Sequence, residues 1–242
     1  MARKQCHVVL ACRSKEKTEK VVEDIKRETG NEKVEFMELN LLSLNSVKNF
    51  AQEFIARYDK LHILLNNAGV MNAPFALSED GKQFATNHVG HYYLTILLLP
   101  VLEKTKPSRI INVSSMGHQL ARSLNLETIN DLSAYHSGWQ YCKTKACNIL
   151  FTRELVKRLK QKGIEHIYVN SNHPGVVRSE LTRHMFSVGG VMNWLYDHLL
   201  TITTEDGALA QLYLATSPEV EEKNIRGQYY VSVQAAQSMR SS

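Results

Sequence analysis

The strongest constraint on the fold of this chain is a repeated alternation between short apolar runs and segments whose apolar residues recur at helical spacing. The first run covers residues 7–11, and an amphipathic stretch follows it from Ser14 to Glu28. A second run at 34–39 is followed by a stretch that begins at Ser43, and then by a third run at 61–65. Strands separated by roughly 10–15 helical residues predict right-handed βαβ units, and therefore a parallel sheet covered by helices.

The same alternation continues to the end of the chain. Further helices are predicted at residues 81–102, 139–159 and 204–215, and further strands at residues 109–113, 164–170 and 228–233. No internal repeat, linker or low-complexity tract interrupts the pattern. We therefore expect a single α/β domain over residues 1–242.

Charge and composition limit the partners of this domain. The net charge is +5, but basic and acidic residues are interspersed, as is typical of solvated helix faces. We therefore expect no nucleic-acid partner. The four cysteines form no CxxC pair, which indicates free thiols in a reducing compartment. The longest apolar run, at 94–102, is too short to cross a bilayer. The sequence thus predicts a cytoplasmic protein, or one peripheral to an intracellular membrane, with membrane contact at most peripheral.

A candidate acid/base pair lies in the predicted helix at 139–159. Tyr141 and Lys145 are four residues apart, so their side chains share one helix face. A phenol is a poor base at pH 7 because its pKa is near 10, and a nearby ammonium lowers that pKa by favouring the phenolate. Unrelated surface pairs have the same spacing, so the spacing alone leaves both interpretations open. His88 and His91 have no carboxylate or cysteine at matching spacing, and we predict no metal site.

Small and polar residues follow the predicted strands. In open parallel sheets, ligands bind outside the carboxyl ends of the strands. Those ends carry residues 13–14, 40–41, 66–69, 114–115 and 173–175. A nucleotide that lies across this edge of the sheet would require such residues there.

Six segments in a fixed order carry a resemblance to a known family. They are VVLACRS (8–14), LHILLNNAGVM (61–71), TNHVGHYYLT (86–95), RIINVSS (109–115), YCKTKACNILFTREL (141–155) and HPGVVRSEL (173–181). With them the chain resembles the short-chain dehydrogenase/reductase superfamily, and within it the retinol dehydrogenase-like members. The resemblance implies a Rossmann-type doubly wound parallel sheet that binds NAD(P) and catalyses an oxidoreductase reaction.

The resemblance also implies roles for single residues. Tyr141 would give a proton to a carbonyl or take one from an alcohol, and Lys145 would lower the pKa of Tyr141 and hold the nicotinamide ribose. Ser115, which the family register favours over Ser114, would hydrogen-bond the substrate oxygen. Asn87 would hold a water in a proton relay that includes Lys145.

The cofactor contacts follow in the same way. Those implied to line the cofactor or to shape its nicotinamide side are Asn67, Ala68, Gly69, Pro174, Gly175 and Val177, together with Tyr141 and Lys145. Arg13 follows the first predicted strand, where an arginine accepts the 2′-phosphate of NADP, so NADP is the predicted cofactor; a solvated loop residue is the alternative. Asn40, with Leu41 beside it, stands near the adenine, where the family usually has an aspartate.

One family motif is absent. The twelve glycines include neither TGxxxGxG nor GxGxxG, and the first of them is Gly30. The run at 7–11 corresponds to the family's second strand, and residues 1–4 to the tail of the preceding helix. We therefore expect a sheet that lacks the first strand, the glycine-rich loop and most of the first helix, as in a truncated gene model, a fragment or a splice product. The neighbouring strands would keep unpaired backbone groups unless they pair with each other.

Two functions are therefore expected. The first is an NADP-dependent oxidoreductase that interconverts a carbonyl and an alcohol on a lipophilic, retinoid or aldehyde-like substrate. The alternative is a catalytically silent relative that acts as a binding or interaction protein. A homo-oligomer is compatible with either. The apolar segment from Met185 to Ile202 is interpreted as a substrate lid, a membrane-contacting stretch or core.

Overall fold

The structure, a computed structural model, describes residues 1–71, 84–121, 123–125, 127–129, 131–177 and 202–231. Its strands are β1 (Val8–Cys12), β2 (Val34–Glu38), β3 (Ile63–Asn66), β4 (Ser108–Val113), β5 (Ile167–His173) and β6 (Tyr229–Val231). Its α-helices are α1 (Lys15–Thr29), α2 (Leu44–Arg57), α3 (Gly90–Lys104), α4 (Ser137–Gln161), α5 (Thr204–Thr216) and α6 (Glu219–Glu222). A π-helix, Ala85–Val89, leads into α3, and short 3₁₀ turns cover Ala2–Lys4 and Met116–Leu120.

The predicted alternation of strands and helices is confirmed, and every described strand pair is parallel. The largest shift affects β5, which begins at Ile167 rather than at residue 164. The reason is that the Ile164 N–H still donates to the carbonyl of Leu159, at 2.9 Å, as part of the turn that ends α4. The start of the helix predicted at 81–102, the end of the strand predicted at 228–233 and the segment from 185 to 201 lie outside the described residues.

The strands form two sheets within the described part of the chain. One contains β1 and β2, and the other has the order β3-β4-β5-β6. No described backbone hydrogen bond joins β1 to β3, so each of them has a hydrogen-bonded neighbour on one side. The absence of a first strand stays a prediction.

One apolar core nevertheless connects the two sheets. It contains Met37 and Leu39 from the β2 region, Leu64 and Ile110 from β3 and β4, and side chains from three helices, including Val47, Phe50, Leu98, Leu102 and Leu155. A second cluster lies on the opposite face of the larger sheet, where α5 packs Ala210, Tyr213 and Leu214 against Ile111. Helices therefore cover both faces of the larger sheet, and the carboxyl ends of its strands stay available for a site.

No helix within the described ranges combines the length and the apolar character that crossing a membrane requires.

Candidate active site

A cavity of about 540 Å³ opens at the carboxyl ends of β3, β4 and β5. Its walls come from the residues that follow these strands, from the first turns of α4 and from the first turns of α5. The predicted site residues on these walls are Asn67, Gly69, Ser115, Tyr141, Lys145, Pro174, Gly175 and Val177. Most of the predicted site is therefore brought together around one space.

Helix α4 positions the acid/base pair. The helix begins after His136, whose Nδ1 accepts a hydrogen bond from the Trp139 N–H at 3.3 Å. Tyr141 and Lys145 follow in the first two turns, and the Lys145 Nζ lies 5.5 Å from the centroid of the Tyr141 ring. The predicted shared face is confirmed, and it points into the cavity.

Burial shifts the pKa values of both members of this pair. Burial raises the pKa of Tyr141, because an apolar environment disfavours the phenolate, although the hydrogen bond with Ser115 acts in the opposite direction. In the ligand-free chain burial therefore dominates the pKa of Tyr141, and the lowering of this pKa by Lys145 stays a prediction. Burial also lowers the pKa of Lys145 to about 8, since this side chain is only 3% exposed. The Lys145 ammonium donates to the carbonyl of Val113 at 3.1 Å.

The two serines after β4 have different surroundings. Ser114 is buried and donates its hydroxyl hydrogen to the Lys145 carbonyl at 2.7 Å, which fixes α4 against β4. Ser115 is the residue before the 3₁₀ turn, and its Oγ accepts from the Gly117 N–H at 3.1 Å. Ser115 also lies near Tyr141, because a Cβ on Gly117 would be 3.4 Å from the Ser115 Oγ and 3.6 Å from the Tyr141 Cε1. Of the two hydroxyls, that of Ser115 is therefore the one beside the acid/base group.

Asn87 lies in the π-helix before α3 and is fully buried. Its Oδ1 accepts from the Val70 N–H at 2.7 Å, and its Nδ2 donates to the Val70 carbonyl at 2.9 Å and to the Thr144 Oγ1 at 3.1 Å. Both amide hydrogens are therefore used by protein groups. In the ligand-free chain this side chain fixes the backbone at Val70, and its role in a proton relay stays a prediction.

A buried amide network stands behind the cavity. The Asn66 Nδ2 donates to the Asn112 Oδ1 at 2.8 Å and to the Thr95 Oγ1 at 3.0 Å. The Asn112 Nδ2 donates in turn to the Thr152 Oγ1 at 2.9 Å. These bonds connect β3, β4, α3 and α4, and they hold the strand ends of the site in register. The sequence shows polar residues inside apolar runs at these positions, which is a usable signal for such a network.

Helix α5 closes the cavity from the opposite side. A Cβ on Gly207 would lie 2.3 Å from the Val177 Cγ2, so the glycine lets α5 approach the loop after β5. Gln211, one turn later, donates from its Nε2 to the Asn67 Oδ1 at 3.3 Å. The sequence reasoning missed both α5 residues, because nothing local marks a helix that meets the cavity only through the tertiary fold.

Four predicted cofactor residues are absent from the cavity walls. Ala68 is exposed beside it, and Arg13 is exposed after β1. The Asn40 Oδ1 accepts from the Leu42 N–H at 3.1 Å, and Leu41 is a buried core residue. Arg13 follows β1, and Asn40 and Leu41 follow β2; these two strands form the sheet that is not hydrogen-bonded to β3.

Three polar residues near the acid/base pair were given no role by the sequence, although His173 was expected at a strand end. His173 ends β5 in the cavity wall, His118 lies in the 3₁₀ turn after Ser115, and Tyr229 lies on β6. The His118 and Tyr229 rings meet edge to face at 4.8 Å. Alternation along β5 and β6 is the only sequence signal for such a cluster, and it does not indicate which strand ends meet.

The sequence of this chain is similar to those of known proteins. Residues 1–188 match the model of a family described as short chain dehydrogenase. Retinol dehydrogenase 11 of Mus musculus is 39% identical over 240 residues, which cover 98% of this chain and 73% of that protein. Retinol dehydrogenase 13 of Homo sapiens is 39% identical over 241 residues, which cover 95% of this chain and 70% of that protein.

Solved structures agree on the architecture. A protein from Mycobacterium paratuberculosis is 38% identical, with a TM-score of 0.60 over 73% of this chain and 62% of its own. A short chain dehydrogenase from Shigella flexneri, solved with NADP, is 20% identical, with a TM-score of 0.71 over 94% of this chain and 86% of its own. The predicted Rossmann-type α/β fold is thereby confirmed.

Proposed function

Because the chain belongs to the short-chain dehydrogenase family, we propose that this oxidoreductase uses NADP(H) to interconvert a carbonyl and an alcohol on a lipophilic substrate. The observation that carries the proposal is the convergence of Tyr141, Lys145 and Ser115 on one cavity at the carboxyl ends of parallel strands.

The cavity fits the nicotinamide and ribose end of a dinucleotide. Gly69 and Gly175 have no side chain in the cavity wall, so a ring can approach the backbone there. Lys145 uses one described hydrogen bond, to Val113, and its ammonium carries three N–H donors. The remaining donors suit ribose hydroxyls. When bound, the cofactor supplies or accepts the hydride.

The residues of the chain handle the oxygen and its proton. In carbonyl reduction, the Tyr141 hydroxyl gives its proton to the substrate oxygen while Ser115 donates a second hydrogen bond to the same oxygen. The raised pKa of Tyr141 keeps the ligand-free phenol protonated at neutral pH, which is the form that reduction needs. In alcohol oxidation, Tyr141 acts as the base, and the ammonium of Lys145 favours the phenolate.

NADP is favoured over NAD by Arg13. It is exposed at the carboxyl end of β1, where its guanidinium can make two parallel hydrogen bonds to a 2′-phosphate. The Shigella flexneri neighbour was solved with NADP and an Escherichia coli neighbour with NADPH, which supports this choice.

A lipophilic substrate is supported by the remaining walls. Met71, Val113, Val176, Val177 and Ala208 give the cavity an apolar part of its lining. The related proteins named retinol dehydrogenase agree with a retinoid or aldehyde-like substrate.

A catalytically silent binding protein is the second candidate. It is favoured by one observation, which is the absence of a glycine-rich TGxxxGxG turn from the 242 residues. Such a turn brings backbone N–H groups to the pyrophosphate of a dinucleotide.

Two measurements on the purified chain separate these candidates. Titration with NADPH, followed by nucleotide fluorescence, shows binding if the chain is an enzyme. With NADPH and retinal, we expect oxidation of the nucleotide, and Tyr141→Phe should lower kcat by about 10²–10⁴-fold and leave the Kd of NADPH nearly unchanged. Tyr230→Phe is the matched control, because this ring packs on Tyr213 on the other face of the sheet. Equal turnover by wild type and Tyr141→Phe would refute the mechanism.

Arg13→Ala tests the choice of cofactor. It should weaken NADPH binding and leave NADH binding unchanged. Equal losses for both nucleotides would contradict a contact with the 2′-phosphate.

A further inference from the structure

The part of the chain that connects Ser115 to Tyr141 carries a group of exposed apolar side chains. Four of them, in the described part of residues 116–140, are 41–65% exposed: Met116, Leu120, Leu132 and Trp139. Leu132 at 65% and Leu120 at 58% are the most exposed large apolar residues in the described ranges. Single exposed apolar residues are ordinary, whereas a group confined to one segment indicates a binding surface. We call these four side chains the connector surface.

The connector surface adjoins the acid/base pair. Met116 begins the 3₁₀ turn after β4, and this turn packs against α4. A Cβ on Gly117 would lie 3.5 Å from the Cys142 Sγ and 3.6 Å from the Tyr141 Cε1, so the turn covers the start of α4. Trp139 precedes Cys142 by three residues and therefore shares its helix face. The turn at 116–120 and the first turn of α4 thus meet beside Tyr141.

The rest of the connector is held at the same end of α4. The Gln140 Nε2 donates to the Ile129 carbonyl at 3.2 Å. The Tyr135 N–H donates to the Leu132 carbonyl at 3.2 Å, in a turn just before the helix. Because the first turns of α4 also form a wall of the cavity, the connector surface lies at the cavity end of the molecule.

The volume of the cavity limits how much of a long substrate it can hold. About 540 Å³ is a typical volume for one drug-sized ligand. In the proposed function this space takes the nicotinamide, its ribose and the reacting carbon together. A long apolar chain on that carbon therefore has to continue outside the cavity. Ser115 and Tyr141 hold the substrate oxygen, and the connector surface is the exposed apolar surface next to them.

A lipid bilayer is the other apolar partner that such a surface could meet. The described part of the connector contains two exposed carboxylates, Glu127 and Asp131, and no lysine or arginine. Juxtaposed carboxylates are unfavourable at the anionic face of a membrane, which attracts basic segments instead. The charge of the connector therefore favours an apolar chain of the substrate over a membrane.

We infer that the connector surface binds the apolar chain of the substrate outside the cavity, and that Leu120 and Trp139 are specificity-determining residues, which set the preference for long-chain over short-chain carbonyl compounds. The inference rests on the proposed function. Complete removal of one methylene from water favours binding by roughly fourfold. A chain that lies on a surface is covered on one side only, so we expect about twofold for each methylene.

The test is the dependence of kcat/KM on chain length, with NADPH and the straight-chain aldehydes from hexanal to decanal. For wild type, kcat/KM should rise roughly tenfold over this series. In the double variant Leu120→Gln/Trp139→Gln, kcat/KM for decanal should fall at least about fivefold, whereas that for hexanal, which reaches least far, should change less than about twofold. A general disturbance of the site would lower both values equally.

Leu150→Gln is the matched control. Leu150 is 50% exposed on the same helix, nine residues after Tyr141, and its variant should keep the wild-type ratio of decanal to hexanal. A wild-type series that is flat with chain length would overturn the inference. So would an unchanged ratio in the double variant, equal losses for both aldehydes, or a reduced ratio in Leu150→Gln.

Two outcomes separate this inference from its alternatives. If wild type reduces neither retinal nor any of these aldehydes, the proposed function fails and the inference fails with it; reduction of hexanal and decanal with the wrong ratios refutes the inference alone. Sedimentation with phosphatidylcholine vesicles tests the membrane. Vesicle binding that is lost in the double variant, together with an unchanged aldehyde ratio, would assign the connector surface to a bilayer instead.

Discussion

Replacing Lys145 with methionine should stabilise the ligand-free protein at neutral pH. The ammonium is 3% exposed and its pKa is lowered from 10.5 to about 8 by burial. This shift corresponds to a penalty of about 3 kcal/mol for holding the charged form in the folded state at pH 7. Methionine has a similar length and no charge, so it fills the same space without the penalty.

The expected gain is smaller than the penalty, because one hydrogen bond is lost. The Lys145 Nζ donates to the Val113 carbonyl at 3.1 Å, and that bond contributes about 1 kcal/mol. The same carbonyl keeps a bond from the Asn148 Nδ2 at 3.1 Å, so it is not left without a donor. We therefore expect Lys145→Met to raise the free energy of unfolding by about 2 kcal/mol at pH 7.

The stability difference between wild type and Lys145→Met depends on pH. Between pH 8 and 10.5 the unfolded chain binds more protons at this lysine than the folded chain does, so wild-type stability rises with pH in that window. The penalty is complete below about pH 7 and is lost above pH 10.5, the unfolded value. The advantage of Lys145→Met should therefore shrink to near zero at pH 10.

Urea denaturation at pH 7 and pH 10, followed by tryptophan fluorescence, measures this difference. Lys160→Met, at an exposed position on the same helix, is the control and should show no pH-dependent advantage. A destabilised Lys145→Met, or an advantage of the same size at both pH values, would refute the reasoning. If the prediction is confirmed, the Lys145 ammonium lowers the stability of the folded chain. A charged group that is kept at such a cost is typical of a functional site.

Two further predictions concern the elements that frame the cavity. Gly207→Ala should destabilise the fold by about 1–3 kcal/mol in urea denaturation, because its Cβ would lie 2.3 Å from the Val177 Cγ2. Adding Val177→Ala should recover most of that loss. If the effects of the two substitutions simply add, this contact is excluded as the cause. Arg109→Met should lower the free energy of unfolding by about 1.5–3 kcal/mol in the same measurement. The buried guanidinium donates to the Glu221 Oε1 at 2.7 Å and to the Leu214 carbonyl at 3.1 Å, and it thereby connects β4 to α5 and α6. An unchanged denaturation midpoint would contradict that role.

The local order of the fold could be predicted from the sequence. Apolar runs of strand length and helical periodicity are properties of neighbouring residues, so β1 to β4 and helix α4 lie within a few residues of their predicted bounds. The face shared by Tyr141 and Lys145 follows from helix geometry alone. The residues that follow the strands could also be expected at a common site, because parallel βαβ units place all carboxyl ends at one edge of the sheet.

Charge states could not be obtained in this way. The spacing of Tyr141 and Lys145 suggested that the ammonium lowers the pKa of the phenol, but the structure shows that burial dominates and raises it. Burial depends on what other elements pack over the residue, and no local pattern contains that information.

Local sequence patterns were therefore enough to predict the class of fold, the order of its elements and the residue types at the strand ends. Which strand ends meet depends on the tertiary structure: β3, β4 and β5 share a cavity, whereas β1 and β2, which precede Arg13 and Asn40, are not hydrogen-bonded to them. The tertiary structure also gives Ser114 and Ser115 different partners, and it places His173 and Lys145 in the wall of one cavity. The physical reason is that hydrogen bonds, burial and charge interactions act through space between residues that are far apart in the chain, and their outcome depends on how whole helices and strands pack.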